Sequence, residues 1–370
     1  MTRRRVLLDV RVLNTRQPTG LSRYAATLYE HLLRRNRFEY LIADGAAGTL
    51  TGVRSLPFDV PLGDASSAAR WLTAIARLYD VDLLFSPYLP VPAVPGISVV
   101  LTVHDLIALD HPEWFADESV RRFFDGPLRA SAAAASHLIT GSEVAADDIA
   151  RHYGTERARI TVVPHAAATS FAPGVPVDRE RTRALIGADP FILSVATLEP
   201  RKNLDRLVEA FAAVRGRDPQ RRLRLVLVGR LGWNCAPLLE QIAASPYRGD
   251  ILHLGHVDDE ALIDLYRACD AFAYVSLAEG FGLPVLEALA CGVPVVTSDI
   301  PVLREVAGDA AIYCDPHDVA AIAEAVWTAV SDTALASRLR GAAVSRAATF
   351  DWDRTAAATE AVFESALARG

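Results

Sequence analysis

Short apolar runs alternate with longer stretches whose apolar residues recur every three or four positions, over almost the whole chain. The runs read as buried strands and the stretches as helices, the pattern of parallel sheets covered on both faces. In the first half, strands are predicted at Arg5 to Leu13, Glu39–Ala43, Val81–Ser86, Ser98–Val103, His137–Gly141 and Ile160–Pro164. Leu21, Tyr24, Leu28, His31 and Leu32 mark a helix to about Leu33, and further helices are expected near 66–78, 115–135 and 143–152. Ser142 is a good N-cap for the last of these.

Residues 166–189 break this rhythm with prolines, glycines and charges and read as an interdomain link. The alternation then resumes, with strands at Phe191–Ala196, Leu223–Val228, Ile251–Leu254, 271–275, 294–297 and Ala311–Cys314. Helices are expected from Asn203 and near 236–244, 258–269, 284–291, 301–307, 318–330, 332–348 and 353–368. The expected fold is α/β, with one doubly wound domain over 1–170 and a second over 185–350. Ligands of such sheets bind beyond the carboxyl ends of the strands, so a cleft between the domains is the expected site.

Composition removes several classes. A chain of 370 residues can bury two ordinary cores, and 51% hydrophobic with 22% charged residues describes a folded globular protein. The net charge of −7 argues against general nucleic-acid binding. Asp9 and Arg11 interrupt the first apolar run, so it reads as a strand and not as a signal peptide. The apolar runs are too short to cross a membrane. Cys235, Cys269, Cys291 and Cys314 show no C-x-x-C spacing and read as buried free thiols in a reducing cytoplasm. Lys and Arg together number 38, yet Lys202 is the single lysine.

Three loops carry candidate chemistry. Ala278-Glu279-Gly280-Phe281-Gly282-Leu283-Pro284 leads from an apolar strand into a helix with proline at its first position. The N–H groups of Phe281, Gly282 and Leu283 form an anion trap there, with carboxylates on both sides at Glu279 and Glu287. Amides for phosphate beside carboxylates for hydroxyls suggest a phosphorylated sugar. Thr197 to Asn203 places Arg201 and Lys202 at another helix start, with Asn203 as its N-cap. A solvated basic turn has the same residues, but the position of the only lysine favours a second anion site. In the first domain, His104 follows a strand's carboxyl end, with Asp105 placed to orient its ring; a structural histidine is the plain alternative. Thr19-Gly20-Leu21-Ser22-Arg23-Tyr24 is a glycine turn opening a helix.

These residues carry a resemblance. SVATLEPRKNLDRLVEAF, LVLVGRLGW and EGFGLPVLEALACGVPVV in the second half, with TGLSRYAATL and TVHDLIALDHPEWF in the first, are similar to retaining glycosyltransferases of family 4. That family has the GT-B architecture of two Rossmann-like domains, an N-terminal acceptor-binding one and a C-terminal nucleotide-sugar-binding one. The resemblance implies a catalytic set of Glu279, Lys202 and His104, with Glu279 beside the donor hexose and Lys202, with Arg201, at the diphosphate. Gly280, Phe281, Gly282 and Leu283 would surround the sugar and diphosphate, Glu287 the ribose, and Val257 the base. Gly20 would approach the phosphates, while Arg23 and Tyr24 lie toward the acceptor. The last helix, about 351–370, would pack back on the first domain. The chain departs from the family pattern at Ala196, where many members have an arginine, at Val275, where proline is common, and at Pro164-His165-Ala166-Ala167.

The wording LEPRKN, EGFGLPVLEA and VAGDAA is most like bacterial mannosyltransferases that build surface polysaccharide. The expectation is therefore metal-independent, cofactor-free transfer of mannose from GDP-mannose to a lipid-linked or oligosaccharide acceptor. GDP-rhamnose, UDP-glucose or UDP-N-acetylhexosamine as donor, or a non-catalytic sugar-nucleotide-binding subunit, are the alternatives. The expected location is cytoplasmic. Trp114 to Leu138, with Arg121, Arg122, Phe123, Phe124 and Leu128, is a candidate for peripheral contact with the inner face of the cell membrane. The plainer expectation is that this stretch packs on its own sheet.

Overall fold

The computed structural model describes residues 3–13, 20–43, 50, 53–56, 65–91, 93–174 and 177–369; Thr19 of the glycine turn lies outside them. The chain divides into two compact units, one of Met1–Asp110, Glu118–His165 and Asp351–Gly370, the other of His111–Asp117 and Ala166–Phe350.

The first unit is built on β1 (Arg5–Leu8), β2 (Glu39–Ala43), β3 (Arg54–Leu56), β4 (Leu83–Ser86), β5 (Ser98–Thr102), β6 (His137–Thr140) and β7 (Ile160–Val162). Their order is β3-β2-β1-β4-β5-β6-β7, and the pairings are parallel. Strand β3 is too short and polar to show in the hydrophobic pattern. The first expected strand stops at Leu8, and Arg11–Leu13 turns as a 3-10 helix because Asp9 and Arg11 form a buried pair instead of continuing the ladder.

The expected helix over 115–135 is broken. Glu118–Phe123 and Arg129–Ala134 are α-helical, and Phe124–Leu128 between them is a π turn containing Gly126 and Pro127. Proline removes one amide donor and crowds the preceding turn, which a π turn relieves. Phe124 and Leu128 are buried within the unit, while Arg121 pairs with Glu118 and Arg129 with Asp125 on the outside. The large apolar side chains of this stretch are thus largely used internally. Among the described residues no single helix is long and apolar enough to cross a membrane.

The last helix, Trp352–Arg369, belongs to the first unit. Phe363 packs between Phe38 and Phe85, and Ser98 Oγ donates to the Ala366 carbonyl at 3.1 Å. Glu360, 1% exposed, accepts from the Tyr40 hydroxyl at 2.9 Å and from Arg35 Nε at 2.7 Å. His31 meets Asp353 at 2.7 Å.

The second unit is built on β8 (Phe191–Val195), β9 (Arg224–Val228), β10 (Ile251–Gly255), β11 (Ala271–Tyr274), β12 (Val295–Ser298) and β13 (Ala311–Cys314). The order is β10-β9-β8-β11-β12-β13, again parallel. Leu207, Phe211 and Val214 of helix Leu204–Arg217 share a core with Ile322 and Val326 of helix Val319–Ser331. The region 166–189 contains the helix Arg179–Ile186, capped by Asp178, whose carboxylate accepts from Glu180 and Arg181. Its short apolar spacing hid it in the sequence. All four cysteines are free, and Cys269, Cys291 and Cys314 are buried.

Replacing Glu360 with alanine leaves the buried Tyr40 hydroxyl without its acceptor. Urea unfolding is expected to show a loss of roughly 1–3 kcal/mol; unchanged stability would show that this contact does not hold the C-terminal helix in place.

Candidate active site

Strands β8 and β11 are neighbours where the strand order of the second sheet reverses, so the loops leaving their carboxyl ends lie side by side. Two ties hold these loops together. Leu277 N donates to the Arg201 carbonyl at 2.9 Å, and Asn203 Nδ2 donates to the carbonyls of Val275 at 2.9 Å and Pro316 at 2.8 Å. Asn203 therefore does not cap its helix with its side chain, as the sequence suggested. It takes a left-handed φ of 57° and uses its amide as a staple between strand ends.

Between the loops lies a buried charge network. Lys202 Nζ donates to Glu279 Oε1 at 2.6 Å and to the Tyr274 hydroxyl at 2.9 Å. That hydroxyl donates to the same Glu279 oxygen at 2.7 Å. Arg201 donates to Glu279 Oε2 at 2.8 Å, to the Ala278 carbonyl at 2.8 Å and to Glu199 Oε1 at 2.7 Å. The Glu279 side chain is 8% exposed and that of Lys202 10%. Burial alone would raise the Glu279 carboxyl, but the Arg201 and Lys202 charges and the bonds from Lys202 and Tyr274 bring it down to about 2. Burial, then the Arg201 charge, pushes Lys202 below its ordinary value, against the pull of Glu279 and Glu199. Two cations thus face two acids, and the network is locally neutral without being uncharged.

Gly229, at the end of β9, has φ 141°, and a Cβ there would stand 1.8 Å from the Ala196 carbonyl oxygen. Only glycine lets these two strand ends touch. Gly282, at φ 104°, opens the helix Leu283–Ala290, so the helix begins one residue earlier than expected and Pro284 is its second position. The amides of Gly282 and Leu283 remain in the first turn, where a helix presents donors. Phe281 is buried, its ring edge-on to Phe350. Glu287 Oε2 accepts from the fully buried Tyr266 hydroxyl at 2.9 Å. Val257 follows β10, just before Asp258, whose carboxylate caps helix Asp259–Ala268.

In the first unit, β5 delivers His104, whose Nε2 lies 2.8 Å from the Pro87 carbonyl oxygen. A carbonyl only accepts, so Nε2 carries the proton and Nδ1 of the neutral ring does not. Asp105, expected to orient this ring, instead accepts from Ile107 N at 3.2 Å at the start of the next short helix. The Tyr24 ring stands edge-on to His104 at 4.9 Å and lies 4.4 Å from His165. Tyr24 is buried, Arg23 half-buried, and Gly20 exposed at the helix start. Burial holds His104 below the ordinary imidazole range, against the Pro87 carbonyl bond and the Asp105 charge; it holds His165 well below, with His104 adding to the effect.

The structure thus joins Arg201, Lys202 and Glu279 in one network and His104 with Tyr24 in another. Sequence reasoning missed Tyr274, Glu199, Tyr266 and the Pro87 carbonyl. Tyr274 had a faint signal, a hydroxyl one residue from the end of an otherwise apolar predicted strand.

A parallel doubly wound sheet with charged residues and a helix start at its reversal point is the arrangement in which open α/β domains place their ligand sites. The model of glycosyl transferases group 1 matches residues 178–346, and that of Glycosyltransferase Family 4 matches residues 18–171. The O-antigen chain mannosyltransferase B of Escherichia coli is 32% identical over 256 residues, covering 69% of this chain and 67% of the relative. The serotype-specific mannosyltransferase WbdA of the same species is 32% identical over 275 residues, covering 72% of this chain and only 33% of the relative. Anabaena HepE, solved in complex with UDP-glucose, shares the fold at a TM-score of 0.76 and 19% identity, covering 98% of this chain and 99% of the other. The chain belongs to glycosyltransferase family 4, with the GT-B fold, and is a hexosyl-transferring enzyme.

The depressed histidines give a pH dependence. Above the ordinary value of 6.5 both are neutral, folded or unfolded; as pH falls below it, the unfolded chain takes up protons that the folded chain refuses. Stability is expected to fall from pH 7 toward pH 5, and His165→Phe to flatten that fall in thermal unfolding. An unchanged slope in the variant would contradict the assignment to His165.

Proposed function

We propose that the protein is a retaining, metal-independent glycosyltransferase that moves mannose from GDP-mannose to a lipid-linked or oligosaccharide acceptor in surface-polysaccharide synthesis. The observation that carries the chemistry is the Glu279–Lys202–Arg201 network at the β8–β11 reversal, beside the helix start at Leu283. The names of the Escherichia coli relatives support the choice of mannose. Glu279 is assigned to the hexose, Arg201, Lys202 and the 280–283 backbone to the diphosphate, Glu287 to the ribose hydroxyls and Val257 to the base.

In the proposed step the bond from the anomeric carbon to the diphosphate oxygen breaks and the acceptor oxygen bonds to that carbon on the same face. The acceptor's proton goes to the departing phosphate. Lys202, Arg201 and the helix start stabilise the charge that develops on the leaving diphosphate, in a site with little water. His104, Gly20, Arg23 and Tyr24 of the first unit are assigned to the sugar, phosphate and acceptor roles. Tyr24, buried and edge-on to His104, would act on the acceptor side by setting that ring. In neutral form His104 would offer Nδ1 as an acceptor to a sugar hydroxyl. The enzyme is placed in the cytoplasm, with access to a lipid-linked acceptor at the membrane's inner face.

UDP-glucose is the second reading, favoured by the shared fold of HepE. A thermal-shift screen of GDP-, UDP-, dTDP- and ADP-sugars decides between them, since a donor at a hundred times its dissociation constant stabilises by roughly 2.7 kcal/mol. GDP-mannose is expected to raise the melting temperature most; a rise with UDP-glucose and none with GDP-mannose would overturn the donor. Glu287→Ala is expected mainly to weaken donor binding and Lys202→Ala mainly to slow transfer. Unchanged kinetics in both would overturn the site.

A further inference from the structure

We infer that Tyr274 is a positioning residue for glycosyl transfer, whose hydroxyl fixes the Lys202 ammonium in the one rotation that leaves a single N–H for the departing diphosphate. The inference rests on the proposed role of Lys202. A carboxylate has no proton to give, so the Tyr274 hydroxyl must spend its only hydrogen on Glu279 Oε1 and accept from Lys202 Nζ. The three atoms close a ring, with sides of 2.9 Å, 2.7 Å and 2.6 Å. An ammonium has three donors. Glu279 Oε1 and the Tyr274 hydroxyl subtend only about 60° at Nζ, narrower than the tetrahedral spread of the N–H bonds, so two N–H bonds straddle the pair, each bent, and the third is turned away from both.

The ring is also rigidly founded. Tyr274 is 3% exposed and ends β11, which pairs with β8 and β12. Burial and the Glu279 charge hold its phenol far above the ordinary value, so it stays neutral and keeps its proton. Without the hydroxyl, rotation about the Lys202 Cε–Nζ bond is restrained by Glu279 alone. Donors that stabilise a transition state act through fixed placement, so the loss appears in turnover more than in binding.

The test is a double-mutant cycle of Tyr274→Phe and Lys202→Met, read by GDP release as GDP-mannose is hydrolysed with water as the acceptor of the mannosyl group, with UDP-glucose run in parallel. Tyr274→Phe is expected to lower kcat roughly ten- to a hundredfold with donor KM changed less than about threefold. In the Lys202→Met background the same change is expected to alter kcat less than about twofold. If Lys202→Met slows release while Tyr274→Phe leaves it unchanged, or if Tyr274→Phe is equally harmful in both backgrounds, this inference is overturned and the role of Lys202 stands. If Lys202→Met itself has no effect, the proposed role of Lys202 fails. Should Tyr274→Phe not fold, the wild type answers alone, because lysine labelling reports only on Lys202. Its Nζ protons are expected to exchange with water at least tenfold more slowly than those of free lysine, and exchange as fast as free lysine would overturn the inference.

Discussion

The second unit depends on holding opposite charges together where little water reaches. A lysine, an arginine and two glutamates would each resist leaving water alone. They tolerate burial because Asn203 and Leu277 tie two strand-end loops closely enough for every charge to find a partner. The tie is possible because β8 and β11 are neighbours at the reversal of the strand order. Topology therefore acts before chemistry. It selects which two loops meet, and the residues on those loops determine what the meeting can do.

The consequence for function is a site whose positive charge is already answered. On the proposed reading, an arriving diphosphate would meet cations oriented by Glu279, on the loop that runs on to the helix start at Leu283, and not a bare lysine and arginine. Such a site would gain from order more than from net charge, which suits the proposed role of stabilising a leaving group. The first unit applies the same economy to His104, where a backbone carbonyl, and not a carboxylate, sets the tautomer. A neutral acceptor there leaves the imidazole neutral, as its burial among Tyr24, Tyr88 and His165 also requires.

Much of the fold was legible because parallel strands buried on both faces are unbroken apolar runs, and Phe191–Val195, Ala271–Tyr274 and Val295–Ser298 are of that kind. Elements that failed to show lack that signal, such as Arg54–Leu56, or are interrupted by a local conflict, such as the π turn at Pro127. In the site, Glu279, Glu287, Arg201 and Lys202 stood out as charges in loops next to glycine and proline. Their partners did not. Tyr274 and Tyr266 look like core aromatics in sequence, and only their hydroxyl contacts separate them from packing residues. Asn203 stands at the N-cap position expected of it, but its side-chain amide, like the Asp105 carboxylate, takes a partner other than the local one that spacing suggested.

Glu279 is paired with both cations proposed to receive the diphosphate, and so would restrain them. The most direct measurement is the affinity for GDP, with UDP alongside, of the wild type and of Glu279→Gln by calorimetry. Removing the acid's charge while keeping its shape releases Lys202 and Arg201, so nucleoside-diphosphate affinity is expected to rise even as sugar transfer falls. An affinity that falls together with transfer would contradict the account.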